Sequence, residues 1–141
     1  MFFLNALLFT TLSFGASPIL FTSMTNKSDS LDLLKNNYKT TLMLDEDCSN
    51  CADLVKKLGK NCSSFNQKDF TIFATGSKKK LTKKLKPILK RKAVVWYHRD
   101  IMTLTKVGVS ALPSYISKAG KMFVGYEDSL NAILEDKVCI K

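Results

Sequence analysis

The sequence DEDCSNC at residues 45–51 follows an apolar run at residues 40–44 and precedes a stretch with helical spacing at residues 52–60. Two cysteines separated by two residues at a strand-to-helix junction are typical of a redox pair. We expect Cys48 at the start of the helix, where unpaired backbone N–H groups and the helix dipole favour a thiolate, and Cys51 one turn deeper. This placement predicts that Cys48 is the attacking thiol and Cys51 the resolving thiol.

The motif by itself leaves two other interpretations of the cysteine pair open. One is a static structural disulfide, and the other is half of a zinc site. Zinc needs two further ligands, and Cys62, His98 and Cys139 do not occur at the spacings of zinc fingers or ribbons. The sequence therefore favours redox chemistry of the thiols, with no metal and no cofactor.

Length and composition indicate one globular domain with extensions, because domains typically run to about 100–150 residues. The chain has 141 residues, of which 45% are hydrophobic and 24% are charged, and this excludes a wholly disordered protein. Its formal net charge is +10. Such a charge predicts an affinity for anionic partners but does not bear on the fold.

The first 21 residues contain no charged residue and are mostly apolar, with small residues around Gly15. This pattern predicts a signal peptide cut after Gly15, although the usual Lys or Arg near the N-terminus is absent. About 20 residues also suffice to span a bilayer, so an uncleaved membrane anchor is the alternative. Residues 22–29 are interpreted as a linker and residues 30–141 as the folded domain. We expect an exported protein, periplasmic or extracellular, whose four cysteines meet an oxidising compartment.

Strands and helices alternate along the middle of the chain, which predicts an α/β domain with parallel strands. The near-continuous apolar character of residues 40–44 indicates a central strand that is buried on both faces. After residue 107 the pattern changes to an antiparallel hairpin that turns at residues 118–121. The expected strands are residues 40–44, 70–74, 93–97 and 122–126, and the expected helices are residues 31–34, 52–60, 78–92, 100–106 and 127–134.

Two separated motifs together resemble the thioredoxin superfamily. They are Cys48-Ser49-Asn50-Cys51 after a strand and Gly108-Val109-Ser110-Ala111-Leu112-Pro113-Ser114 before a strand, a hairpin and a helix. The resemblance covers roughly residues 30–137 and implies a thioredoxin-like fold, in which a central mixed sheet has helices on both faces and carries an additional βα unit. It also implies that Pro113 is a cis-proline facing the cysteine pair. The Gly-Val-Ser-x-x-Pro form is similar to exported bacterial disulfide isomerases and oxidases, which implies thiol–disulfide exchange with protein substrates.

The acidic residues before Cys48 depart from the family pattern. Asp47 stands where family members often have an aromatic residue, and Asp45 and Glu46 precede it. Like charge disfavours a thiolate, so we expect a moderate or reducing pair rather than a strongly oxidising one. A sister resemblance is to thioredoxin-like proteins of conjugative pilus assembly. It implies the alternative of a non-catalytic binding or assembly module that works through its basic helix.

A second disulfide is implied by the resemblance. In a thioredoxin-like fold, the helix after the C-x-x-C motif and the last helix both run from the active-site edge of the sheet toward the opposite edge. Cys62 follows the first of these helices and Cys139 the second. We therefore expect a structural Cys62–Cys139 disulfide, and the alternative is two unrelated thiols.

The predicted helix at residues 78–92 carries nine Lys or Arg residues and no acidic residue. A charged outer face often only solvates a helix, but this imbalance favours an anionic membrane surface, a cell-wall polymer or an acidic protein partner. Nucleic acid is disfavoured because no aromatic residue interleaves with the lysines. The candidate anion-binding residues are Lys78, Lys79, Lys80, Lys83 and Lys84.

Overall fold

The computed structural model of the chain describes residues 20–25, 27–30, 37–106 and 108–141. Its strands are β1 (Leu20–Ser23), β2 (Ser28–Ser30), β3 (Thr40–Asp45), β4 (Ser64–Phe65), β5 (Phe70–Thr75), β6 (Val95–His98), β7 (Ser114–Ile116), β8 (Met122–Val124) and β9 (Cys139–Ile140). Its helices are α1 (Ser49–Asn61), α2 (Lys78–Lys84), α3 (Lys86–Leu89), α4 (Met102–Lys106) and α5 (Tyr126–Glu135). None of the helices in these residues is both long enough and apolar enough to cross a membrane.

Seven strands form one mixed sheet in the order β2-β1-β6-β5-β3-β7-β8. β3 lies inside this sheet, parallel to β5 and antiparallel to β7, and its residues are buried as far as Leu44. The prediction of a central strand from the apolar run is thus confirmed. β5 lies beside β3, the strand that precedes the cysteine pair, and β6 pairs with the far side of β5.

Alternate residues of β3 contribute to two separate hydrophobic cores, one on each face of the sheet. Leu42 and Leu44 pack in the larger core, which includes buried residues of α1, α2, α3 and α5. Met43 faces the other side and packs in a core with Leu104 of α4. The expected mixed sheet with helices on both faces is therefore confirmed.

The additional βα unit consists of β5, α2 and α3. The single helix predicted over residues 78–92 is instead two short helices, because the backbone leaves the helical conformation at Leu85 and Pro87 occupies the first turn of α3. Pro87 packs directly on Gly59 of α1, where an added Cβ would lie 2.7 Å from the Pro87 Cβ. Glycine at position 59 lets the two helices approach closely.

The structure differs from the expected linker at residues 22–29. Most of this segment forms a hairpin in which β2 pairs with β1, and β1 pairs with β6 at the register Thr22 to Tyr97. Phe21 is fully buried, and its ring centroid lies 5.1 Å from that of Phe73. The polar composition concealed this strand because only alternate residues of β1 face the core. Within the described residues, sheet pairing begins at Leu20. Residues 1–19 and the short helix predicted at residues 31–34 lie outside them.

A two-stranded sheet formed by β4 and β9 lies at the C-terminal end of α1. Cys62 is the C-cap of α1 and forms a disulfide with Cys139, with 5.2 Å between the Cα atoms. Sequence analysis did not predict either strand, because two residues are too few to show a period. The disulfide and the small sheet together attach the end of the chain to α1.

Candidate active site

Cys48 and Cys51 lie at the N-terminus of α1, directly after the end of β3. Cys48 is the N-cap residue with an extended backbone, and its carbonyl oxygen accepts a hydrogen bond from the Ala52 N–H. Cys51 lies one turn inside the helix, and the two sulfur atoms form a disulfide. The helix begins here because the cysteine side chain acts as the cap that the first N–H groups require.

The environment of the two sulfur atoms differs. The Cys51 backbone N–H donates to the Cys48 Sγ over 3.1 Å. Cys51 itself is only 3% exposed, whereas Cys48 is half-buried. After reduction, the same N–H and the helix dipole would stabilise a thiolate on Cys48. Cys48 therefore combines access to solvent with an anion-stabilising position.

The loop before β7 faces the disulfide. The Leu112–Pro113 peptide bond is cis, and the Leu112 carbonyl oxygen lies 3.6 Å from the Cys48 Sγ. The pairing of β7 with β3, which sets Ser114 beside Met43, brings this loop to the end of β3 where the cysteines begin. Pro113 itself is buried, so its contribution is to the shape of the loop rather than to a direct chemical step.

A cleft of about 350 Å³ opens beside Cys48. One of its walls is apolar and comes from α4 and the loop that follows it. Ile101 lines this wall and is 47% exposed, and its neighbour Met102 is 54% exposed. The sequence offered no functional prediction for these two residues, and the available signal was a pair of apolar residues directly after Asp100, whose Oδ1 accepts a hydrogen bond from the Met102 N–H. The cleft is lined by Asp45, Asp47, Cys48, Ile101, Leu104, Thr105, Val109, Ser110, Ala111 and Leu112.

The acidic residues before Cys48 have separate roles in the structure. The Thr75 hydroxyl donates to Asp45 Oδ1 over 2.6 Å, and the Ser77 N–H donates to Glu46 Oε2 over 3.2 Å. The carboxylates of Asp45 and Glu46 therefore support the turn and the start of α2. Asp47 is exposed and lines the cleft, so its charge is the one that faces an approaching substrate.

The candidate anion-binding lysines do not share one environment. Lys79, Lys80 and Lys83 are exposed on α2, and Lys78 is half-buried at its start. Lys84 instead donates from its Nζ to the backbone carbonyl oxygen of Glu46 and lines a small cavity with Cys48 and Cys51. Within the described residues, no cluster of three or more His, Cys, Asp or Glu side chains is arranged to hold a metal ion.

No protein-family model and no curated protein sequence matches the chain. Solved structures do match its fold. A thioredoxin domain of a thiol–disulfide oxidoreductase from Bacteroides vulgatus is 21% identical with a TM-score of 0.54, and the match covers 87% of this chain and 94% of that one. The exposed lipoprotein thioredoxin of Streptococcus pneumoniae is 16% identical with a TM-score of 0.55, covering 84% and 96%. The chain has a thioredoxin-like fold.

A third match with the thioredoxin-like fold is a secreted disulfide oxidoreductase of Mycobacterium tuberculosis. It is 9% identical with a TM-score of 0.52, and the match covers 75% of this chain and 81% of that one. These identities are low, so the likeness concerns the fold. The chemical capability of this thioredoxin-like protein rests on its own Cys48–Cys51 disulfide, the adjacent cis-proline loop and the cleft between them.

Proposed function

We propose that this protein is an exported thiol–disulfide oxidoreductase that exchanges disulfides with protein substrates. The position of the Cys48 Sγ carries the proposal. This sulfur accepts the Cys51 N–H at the start of α1, lies against the Leu112 carbonyl oxygen and borders an open cleft. A purely structural disulfide has no need of a partly exposed sulfur at a helix N-terminus beside a cleft. The solved structures with a similar fold, which include thiol–disulfide oxidoreductases, support the same chemistry.

The reaction begins from the reduced pair. The Cys48 thiolate attacks one sulfur of a substrate disulfide, so a bond forms between Cys48 and that sulfur while the substrate S–S bond breaks. The released substrate thiolate takes a proton. The Cys51 thiolate then attacks the Cys48 sulfur, which forms the Cys48–Cys51 disulfide and releases the second substrate thiolate. Two electrons pass from the cysteine pair to the substrate, and the reverse sequence oxidises a substrate dithiol.

The cleft and the Pro113 loop provide the substrate-binding surface in this proposal. An extended peptide would lie along residues 110–112, and its apolar side chain would contact Ile101 and Met102. Pro113 keeps the loop in the shape that presents the Leu112 carbonyl oxygen to Cys48. The substrate class is therefore a protein or peptide with an apolar residue near its cysteine.

Export is supported by two features of the chain. The leader is uncharged and apolar, and the Cys62–Cys139 disulfide is of the kind that persists in oxidising compartments. A cut after Gly15 would leave the buried Phe21 and the rest of β1 in the mature protein. We expect periplasmic or extracellular protein that begins at Ala16, with a membrane-anchored form as the alternative. Mass spectrometry of the exported protein tests this, and a mature N-terminus beyond Leu20 would contradict it.

Reduction of insulin tests the proposed chemistry. Wild-type protein should accelerate the reduction of insulin by dithiothreitol, and Cys48→Ser should abolish this acceleration. Cys51→Ser should instead accumulate a mixed disulfide with the substrate through Cys48, because the resolving thiol is missing. In the reduced protein, alkylation at neutral pH should label Cys48 before Cys51.

The Cys62→Ser/Cys139→Ser double variant is the matched control for the loss of two thiols. It should retain insulin reduction, because this disulfide lies at the opposite end of α1 from Cys48. An active Cys48→Ser variant, or first labelling of Cys51, would show that the assignment of roles is wrong.

A non-catalytic binding or assembly module is the second candidate function. The exposed lysines of α2 favour it, because they form a charged surface that thiol exchange does not use. Under this alternative, the wild type and Cys48→Ser would be equally inactive toward insulin.

A further inference from the structure

A groove between α1 and α3 has a basic rim and an apolar floor. Gly59 and Pro87 pack together to form the floor, and the groove has a volume of about 330 Å³. Its rim consists of four cations, all of them exposed: Lys56, Lys60, Lys90 and Arg91. We call these six residues the basic groove.

The positive charge of the basic groove is not balanced locally. The sequence contains no acidic residue from Leu54 to Asn61 or from Ser77 to Arg99, and Asp53 lies one helical turn before Lys56. The ion pairs found within the described residues join Asp69 to Lys39 and to Lys118, outside both segments. The groove therefore presents an excess of cations to solvent.

Arg91 is held in a position suited to an oxyanion. Its Nε donates to the Gly59 carbonyl oxygen over 3.3 Å, which attaches the guanidinium group to α1. A guanidinium group has five N–H donors, so four remain for another acceptor. Planar donors of this kind bind phosphate groups in a bidentate manner.

The combination of cations with an apolar floor fits a lipid better than it fits a nucleic acid. No aromatic residue lines the groove, so bases would have no stacking surface. A phospholipid headgroup would place its phosphate at the rim and its glycerol carbons against Pro87. The exposed cations Lys79, Lys80 and Lys83 of α2 extend the basic surface beyond the groove.

We propose that the basic groove, extended by α2, docks this protein on an anionic phospholipid bilayer. Clusters of Lys and Arg on a protein surface bind the negative surface of such membranes through the sum of many modest attractions. Charge complementarity supports this partner, and the proposal does not depend on the thiol chemistry.

The docked protein would keep its active site open. Leu104 and Val109, which line the cleft, pack in the core on one face of the sheet, whereas α1 and α3 cover the other face. The eleven residues of α1 from Ser49 to Gly59 also separate the groove from Cys48 by about 16 Å along the helix axis. The basic groove and the substrate cleft therefore lie on different surfaces, and among the lysines of α2 only Lys84 lines the small cavity beside the cysteine pair.

Vesicle partitioning of the full-length protein tests the proposal. Binding is measured to phosphatidylcholine vesicles with and without phosphatidylglycerol, and the ratio of the two partition coefficients is the readout. The leader carries no charged side chain and is the same in every variant, so its contribution cancels when the ratios of the variants are compared. The wild type should prefer the anionic vesicles, and added salt should remove the preference because it screens surface charge.

The Lys56→Gln/Lys60→Gln/Lys90→Gln variant should lower this ratio by roughly a hundredfold, since each of the three cations contributes about fivefold near an anionic surface. The matched control, Lys27→Gln/Lys106→Gln/Lys121→Gln, removes the same charge from exposed positions elsewhere and should change the ratio little. Circular dichroism and insulin reduction check that both variants are folded. An equal loss in both variants, a wild type without preference, or binding to a DNA duplex in place of vesicles would each overturn the proposal.

Discussion

The Nζ of Lys84 donates a hydrogen bond to the backbone carbonyl oxygen of Glu46, two residues before Cys48. Lys84 belongs to α2 and lines the same small cavity as Cys48 and Cys51. The additional βα unit thus brings a cation to the cysteine pair. This positive charge opposes the effect of the acidic residues that precede Cys48.

Replacing Lys84 by Gln should make the cysteine pair more reducing. A nearby cation stabilises the thiolate of the reduced form, so its loss should raise the pKa of the Cys48 thiol. Because Lys84 is exposed, solvent screens its charge, and we expect the potential to fall by only about 15 mV. Thiolate absorbance during a pH titration and equilibration with glutathione measure the two quantities. Lys84→Arg should restore both values, and Lys83→Gln is the charge-matched control; an equal shift in Lys83→Gln would argue against a specific role.

Replacing Asp47 by Asn should shift the pair in the opposite direction. The exposed carboxylate borders the cleft beside Cys48, and like charge disfavours the thiolate. We expect the pKa of the Cys48 thiol to fall and the pair to become more oxidising. Asp128→Asn, on the exposed surface of α5, is the control for net charge. Neutralising Asp45 and Glu46 as well should strengthen the shift but also destabilise the turn, since their carboxylates accept hydrogen bonds from Thr75 and Ser77.

Removing the second disulfide should lower the free energy of unfolding. Cys62 and Cys139 are 77 positions apart in sequence, so the disulfide restricts most of the unfolded chain. We expect the Cys62→Ala/Cys139→Ala variant to lose about 2–4 kcal/mol in urea unfolding. The Cys48–Cys51 disulfide closes a much shorter loop, so the Cys48→Ala/Cys51→Ala variant should lose less. A larger loss in this variant than in Cys62→Ala/Cys139→Ala would contradict the structural role of the Cys62–Cys139 disulfide.

Tyr115 should make the protein less stable at alkaline pH. Burial raises the pKa of its hydroxyl well above the usual range, while Thr40 lowers this pKa by a smaller amount. Asp136 adds a further increase, because its Oδ2 accepts a hydrogen bond of 2.8 Å from the hydroxyl group. The unfolded chain ionises this group from about pH 10 upward and the folded chain does not. Ionisation of Tyr115 should therefore leave the free energy of unfolding unchanged below about pH 10. Above that pH it should lower the free energy of unfolding by up to about 1.4 kcal/mol per pH unit. Unfolding free energies of wild type and Tyr115→Phe, compared across pH, measure this contribution; parallel curves above pH 10 would contradict it.

Gly76→Ala should destabilise the protein more than Gly120→Ala. Both glycines have positive φ, at +141° and +80°, so both substitutions strain the backbone. At Gly76 the new Cβ would also lie 2.7 Å from the Glu46 carboxyl group, whereas space at Gly120 is open. We expect losses of about 2–3 kcal/mol and about 1 kcal/mol, respectively. In the Glu46→Ala background the difference should shrink, and a difference that stays unchanged would exclude the contact as its cause.

The sequence predicted the strands and helices that are long enough to show a pattern of apolar residues. The apolar run at residues 40–44 identified the central strand, and the spacing after Cys51 identified α1, because burial of these residues leaves a periodic pattern. The two-residue strands β4 and β9 are too short for any period. β1 was hidden because it begins within the apolar leader and ends in a polar segment that was interpreted as a linker.

Those parts of the candidate site that depend on neighbouring residues in the sequence could be predicted. Cys48 could be assigned to the start of α1 because the N-cap position follows directly from the strand-to-helix junction. The approach of Lys84 to the cysteines could not be predicted, since it depends on the break at Leu85 and on the packing of α2 beside the turn. The apolar wall that includes Ile101 and Leu104 likewise depends on how α4 lies against the cleft.

The close approach of Gly76 to Glu46 also has an evolutionary consequence. The carboxylate of Glu46 occupies the space that a side chain at position 76 would need, and it also accepts a hydrogen bond from the N–H of Ser77, the N-cap residue of α2. Chains descended from a common ancestor with this one should therefore change the two positions together. Where position 46 has a long acidic side chain, position 76 should be glycine, and where position 76 has gained a side chain, position 46 should be small. This pattern of paired substitutions would distinguish related chains in which the side chain at position 46 contacts the start of α2 from those in which this contact is lost.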